Sequence, residues 1–333
     1  MMMNAVRLLA AALAALALAA PAAAQEKFKV GYLRVMDDAQ AILADKADLY
    51  ARRGVDVELV EFKSGTDLIK AIVGGQLHSG VLGFTNAIAW ASRGADLKVV
   101  GGAQNGYHAM IVREEAGIEK IADLKGRTIA SQKEGSTADT VLKGVVFKQA
   151  GLAPADVGIM GVSPQVAVQS LVAKRVDAAF LFEPQASIVK AIAPVKEIYE
   201  IGEVWPFPCM VVITSGEVLK TRKDDLWKTL DAQKDAIDML QQRPEEAARY
   251  IAGEFIAEPT LRTLDGKEVP REEIITKAIR TQVFNAALTD KDLARMQEIA
   301  AIMQENGSLK TRDGSPFDVN ALLDLSWQEE RKL

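Results

Sequence analysis

Apolar and polar positions follow two rhythms from residue 28 onward. FKVGYL (28–33) reads as a buried strand, and AQAILADKADLYARRG (39–54) spaces its apolar residues as a helix stopped at Gly54. VDVELVEF (55–62) alternates like a strand. TDLIKAIVGG (66–75) predicts a helix, HSGVLGF (78–84) a strand, TNAIAWASRG (85–94) a helix and LKVVGG (97–102) a strand. The plan then repeats: GRTIAS, VGIMGV and AAFLF (178–182) are strands, STADTVLKGVVFKQAG and PQVAVQSLVAKR helices, followed by PQASIVKAIA and KEIYEIG. Strands and helices alternating at this pace predict parallel βαβ units and an α/β fold. AIVGGQLHSGVLGFT (71–85) also aligns without gaps on SLVAKRVDAAFLFEP (170–184) at an offset of 99, with helix, turn and strand in step. That echo favours two lobes over one large sheet. CMVVITS (209–215) is a last strand, after which the pattern is almost wholly helical.

Three features outside this rhythm narrow the class. Residues 1–24 combine Arg7, an Ala/Leu run over 8–20 and small residues at 22–24, the layout of a secretory signal peptide; a retained anchor is the alternative. Cleavage after Ala24 leaves 309 residues, enough for two ordinary domains. The formal charge of −5, with Lys and Arg scattered, argues against a nucleic-acid partner. One cysteine, Cys209, and two histidines exclude an internal disulfide and the usual zinc-ligand sets, so no metal site is expected.

The stretches KVGYLRVMDDAQAILADKADLYARRGVDVELVEFKSGTDLIKAIVGGQLHSGVLGF, IADLKGRTIASQKEGSTADTVLKGVVFKQAGL and AAFLFEPQASIVKA resemble periplasmic solute-binding proteins of ABC importers. Within them the chain is similar to the nitrate, sulfonate, taurine and bicarbonate group, which includes the NMT1/THI5-like thiamine-pyrimidine proteins. The resemblance covers residues 27–214 well and the tail loosely. It implies a two-lobed, type II periplasmic-binding-protein fold, each lobe a mixed sheet flanked by helices, with a helical C-terminal part. It also implies a monomer in the periplasm that hands a small solute to a membrane permease. With the crossings near 109–113 and 208–211, residues 25–110 and 211–333 form a discontinuous first lobe and 111–210 the second.

Ligands of open α/β sheets gather beyond the C-terminal ends of strands, where helices begin. Four corners qualify. In SQKEGST (131–137), Gln132 is a candidate contact, Gly135 permits close backbone approach, and Ser136 or Thr137 caps the next helix; its N–H groups suit an anion, or the cap stabilises only its own helix. In GFTNA (83–87), Thr85 or Asn86 is the cap and Phe84 a cleft wall. In RVMDD (34–38), Asp38 reads as the cap of the helix starting at Ala39, leaving Asp37 to face the cleft; adjacent carboxylates repel a bare anion and attract an ammonium or N–H donor. In FEP (182–184), Glu183 accepts from a ligand or pairs with a cation. Asn105 and His108 lie near the first crossing and Trp205 near the second, so all three are candidates, whereas His78 and Trp90 read as structural.

No G-x-S-x-G elbow occurs and neither histidine has a serine or cysteine partner, so an enzyme is not expected. Pyrimidine synthases of this fold use pyridoxal phosphate and a cysteine-rich segment; one cysteine and an export signal argue against that activity and against any cofactor. The expected ligand is a small organic anion or zwitterion resembling a sulfonate or taurine. The alternative is a thiamine-pyrimidine precursor or another N-heterocycle or amine. A sensor in place of the permease stays open.

Overall fold

The strands form on the apolar runs, and hydrogen bonding sorts them into two sheets. In chain order, β1 (Phe28–Leu33), β2 (Val57–Phe62), β3 (Ser79–Gly83) and β4 (Lys98–Asn105) come first. Then follow β5 (Ala109–Arg113), β6 (Thr128–Ser131), β7 (Gly158–Gly161), β8 (Ala178–Leu181) and β9 (Val195–Glu200), and then β10 (Pro208–Thr214). A hairpin of β11 (Thr260–Arg262) and β12 (Glu268–Pro270), and the short β13 (Val283–Phe284), lie among the C-terminal helices. The structure, a computed structural model, describes residues 26–311 and 314–333; the leader expected at 1–24 lies outside the described residues.

One sheet runs β13-β4-β10-β3-β1-β2 and the other β7-β6-β8-β5-β9. Each contains three parallel strands, β2-β1-β3 or β7-β6-β8, and then one antiparallel strand, β10 or β5. A further strand, β4 or β9, pairs antiparallel with that one. The chain passes between the sheets twice, from β4 to β5 and from β9 to β10, and the two passages touch where Gly106 N–H donates to the Phe207 carbonyl at 2.7 Å. The internal echo is real in space: β3 starts at Ser79 and β8 at Ala178, each after a helix, Gly65–Val73 and Pro164–Val172.

The second sheet explains why AAFLF (178–182) is apolar at every position. Met110, Val112, Ile129, Ala178 and Phe180 face one core, while Ala109, Ile111, Ala130, Ala179 and Leu181 face another. Side chains alternate across a strand, so a sheet covered on both faces needs apolar residues at every position. Helices Pro164–Val172 and Gln185–Ile192 supply the second cover with Ala167, Leu171, Ala186 and Val189.

Two predicted elements differ. The helix expected over 39–54 breaks into Ala39–Lys46 and Leu49–Arg52, because Asp48 takes a left-handed conformation (φ 56°) that Asp tolerates better than most residues. The tail is not wholly helical: the β11–β12 hairpin closes over Asp265–Gly266, with Thr263 N–H donating to the Lys267 carbonyl at 2.9 Å. An Asp-Gly pair is a hairpin signal that helical spacing on either side obscured. Among the described residues no helix is long and apolar enough to cross a membrane.

Candidate functional site

The C-terminal ends of β1, β3 and β6 meet between the two sheets around a cavity of about 100 Å³. Its polar wall is Asp37, Asn86, His108, Gln132, Ser136 and Thr137; its apolar wall is Leu33, Val35, Gly83, Phe182, Cys209 and Met210. Larger grooves exist, including one of about 500 Å³ beside Asp45, Asp48 and Asp56. The small cavity differs from that groove in bringing the two sheets together around buried polar atoms that have no partner, Asp37 Oδ1 and His108 Nδ1. Buried polar atoms are almost always paired, so unpaired ones on residues that line a cavity point to a missing partner.

The second-lobe corner is built as a cap. Gly135 adopts φ 78°, a left-handed turn that glycine enters without strain, and its N–H donates to Asp139 Oδ2 at 3.0 Å. Ser136 Oγ accepts from Asp139 N–H at 3.1 Å and opens the helix Thr137–Val141, which continues as a π-turn over Leu142–Phe147. The first-lobe corner departs from expectation. Its helix, Phe84–Ala91, begins a residue early, so neither Thr85 nor Asn86 caps it. Thr85 instead shares a hydrogen bond with Thr137 across the cleft, Oγ1 to Oγ1 at 2.8 Å. Gly83 makes that approach possible: a Cβ there would stand 2.9 Å from Thr137 Oγ1.

Asp38 is not the expected side-chain cap either. Its Oδ2 turns back to accept from Leu33 N–H at 2.7 Å, fixing the turn after β1, while Asp37 points into the cavity. Burial, and then the Glu183 carboxylate, push the Asp37 carboxyl up to about 8. Glu183 lies behind the cavity wall rather than on it. It accepts from Ser187 N–H at 3.0 Å, Ser187 Oγ at 2.9 Å and Thr281 Oγ1 at 3.2 Å, and burial pushes it up as well.

His108 sits in an aromatic box, 5.4 Å from the Phe180 ring, 5.9 Å from Phe182 and 6.4 Å from Phe207 between centroids. Burial pushes it down to about 4, so it is neutral at pH 7. None of the twelve lining residues is Lys or Arg. The Cys209 thiol is driven up by burial and by Asp37 and Asp38, which keeps it protonated and a poor nucleophile.

Three candidates lie elsewhere. Phe84 is fully buried in the core, not a cleft wall. Asn105 lines a separate groove of about 360 Å³ with Tyr107, Lys190, Glu197 and Arg280. Trp205 packs beside Phe207 with the Arg295 guanidinium 4.2 Å above its ring. His78 is structural: its Nδ1 accepts from Lys29 N–H at 2.8 Å and its ring stacks on Phe28. Sequence reasoning missed all six residues of the apolar wall, Leu33, Val35, Gly83, Phe182, Cys209 and Met210. The available signal was register, since Met210 pairs with Gly83 and the returning antiparallel strand must enter where β3 ends.

Comparison with known proteins agrees with this architecture. The structure matches the periplasmic aliphatic sulphonate-binding protein SsuA of Escherichia coli with a TM-score of 0.75 at 20% identity, covering 92% of this chain and 99% of that one. It matches the periplasmic nitrate-binding protein NrtA of Synechocystis PCC 6803 with a TM-score of 0.68 at 15% identity, covering 92% and 88%. In sequence, a protein of Brucella abortus (strain 2308) named as a binding protein is 24% identical over 241 residues, 70% of this chain and 73% of its own. The fold is that of the periplasmic binding proteins. Residues 36–247 match the family model described as NMT1/THI5 like, and the chain belongs to that family.

Proposed function

We propose that this chain is the periplasmic solute-binding component of an ABC importer, not an enzyme. It closes its two lobes on a small solute bearing an N–H donor and hands that solute unaltered to a membrane permease. One observation carries the reading: a cavity walled by both sheets and lined by Asp37 and His108, each of which carries a buried polar atom without a partner. The cross-cleft Thr85–Thr137 bond supports closure, and the relatives supply the transport context. A solute of about seven heavy atoms bound near micromolar needs roughly −1.2 kcal/mol per atom, close to the ceiling of about −1.5 for very small ligands. Such efficiency requires an enclosed site in which each polar atom of the solute is matched.

The acids around the cavity favour an amine or N-heterocycle, or a zwitterion whose anionic end meets Ser136 and Thr137. A simple sulfonate anion is the second reading, favoured by the likeness to a sulphonate-binding protein. A thermal-shift panel of taurine, alkanesulfonates, nitrate, small amines and pyrimidines tests both, because solute at ~100 Kd adds about 2.7 kcal/mol of stability. Stabilisation by N–H-bearing solutes is expected. Stabilisation by nitrate or plain alkanesulfonates alone would replace the first reading with the second, and no stabilisation by any solute would remove both.

A further inference from the structure

Resting on that reading, we propose that the cleft takes its solute as a cation and that the positive group displaces a proton from Asp37 as it docks. Asp37 is then the residue that selects charge.

Asp37 is buried, its Oδ1 has no hydrogen-bond partner, and the residue lines the cavity. Among the described residues, the titratable groups facing it are acidic or neutral. Asp38 shares its turn, Glu183 comes from the second lobe, Cys209 from β10, and His108 from the first passage. Lys190, the cation acting on Glu183, is already paired with Glu197 at 2.7 Å. With its carboxyl pushed up to about 8, Asp37 holds a proton at neutral pH when the cleft is empty.

Two kinds of ligand can meet that group, and they differ in sign. An anion would accept a hydrogen bond from the retained Asp37 proton, so its binding would weaken as the pH rises. A cation needs the carboxylate: its N–H donates to the Asp37 carboxylate, the proton leaves to solvent, and binding tightens as the pH rises. The surroundings favour the cation. An anion would add negative charge beside three buried carboxyl groups, Asp37, Asp38 and Glu183, with no lining Lys or Arg to offset it. A cation supplies the counter-charge that a buried carboxylate lacks.

The test is isothermal titration of the full chain with methylammonium, acetamidinium and ethanesulfonate, in buffers of different ionisation enthalpy, at about pH 6 and about pH 8. Methylammonium or acetamidinium is expected to bind with release of about one proton at about pH 6 and about half a proton at about pH 8, and to tighten about tenfold per pH unit until the pH nears that of Asp37 ionisation. Asp37→Asn should abolish the proton release and flatten the pH dependence. Its thermal midpoint reports folding, and the proton count on the parent chain stands if the variant fails to fold. Proton uptake, preferential binding of ethanesulfonate, cation binding without pH dependence, failure of both cations to bind, or release surviving in a folded Asp37→Asn protein each overturn the inference. The broader reading fails separately, when no solute of any charge stabilises the chain.

Discussion

The two lobes share a plan and divide the chemistry. At the end of β3 the chain reads Gly83–Phe84–Thr85, and at the matching end of β8 it reads Phe182–Glu183–Pro184. In the first lobe the small residue lines the cavity and the aromatic one is buried behind it; in the second the aromatic residue lines the cavity and the acid is buried. The corners after β1 and β6 differ as much. One brings two buried acids, Asp37 and Asp38, and the other Ser136, Thr137 and Gln132, with hydroxyls and an amide. Repeated topology therefore fixes where corners fall, while the side chain at each corner is free to diverge. The result is an acidic wall facing a hydroxyl-rich one.

Replacing the buried partners of this contrast should cost the most. Phe84→Ala is expected to lose about 3–5 kcal/mol in urea unfolding, as for a filled core position. Glu183→Ala should lose about 2–3 kcal/mol, since it strands the Ser187 N–H and the Ser187 and Thr281 hydroxyls. If Phe84→Ala altered solute affinity with stability intact, Phe84 would be a cleft wall after all and the contrast between corners would fail.

The pH dependence of the empty chain comes next. Asp37 is raised from 3.8 to about 8, so the folded state holds a proton that the unfolded chain has released, and stability falls as the pH rises through that window. His108 is lowered from 6.5 to about 4, so the unfolded chain binds the extra proton there, and stability is lost as the pH falls from 6.5 towards 4. The two oppose each other below pH 6.5. Above it Asp37 acts without His108, and thermal melts should show a decline of at most about 1.4 kcal/mol per pH unit from this group up to about pH 8. Asp37→Asn should remove that slope; its survival would assign it to other buried acids such as Asp38 or Glu183, both also pushed up.

Two smaller effects probe the hydroxyl wall. The double change Ser136→Ala and Thr137→Ala should cost about 1 kcal/mol of stability through the lost cap, and weaken binding of whichever panel solute stabilises the chain about tenfold. Unchanged affinity would reduce this corner to a simple cap. Thr85→Val removes the cross-cleft hydroxyl bond and is expected to lower the free energy of closure by about 1 kcal/mol, read as weaker compaction in small-angle scattering with that solute bound.

How much of this was legible beforehand follows from which forces act locally. The alternating periods placed β1–β4, β6–β8 and β10 to within a few residues, because burial on one or both faces writes itself into the apolar spacing, whereas β5 was read only as a crossing and β13 went unread. Six of the thirteen candidate residues, Asp37, Asn86, His108, Gln132, Ser136 and Thr137, line one cavity because they follow the ends of strands or lie in a passage between sheets. What each side chain does at its corner was not legible. Whether Asp38 caps a helix or ties back to Leu33, and whether Thr85 meets a solute or Thr137, depends on atoms that arrive from distant segments.

The sequence by itself determined two similar α/β lobes with polar corners at the ends of their strands, since periodicity and turn chemistry are properties of neighbours along the chain. Tertiary structure alone decided that Asp37, Asp38 and Glu183 share one enclosed region with a neutral His108. The free energy of a buried charge is set by what surrounds it in space, and that environment is assembled only when β1, β6, β8 and β10 come together.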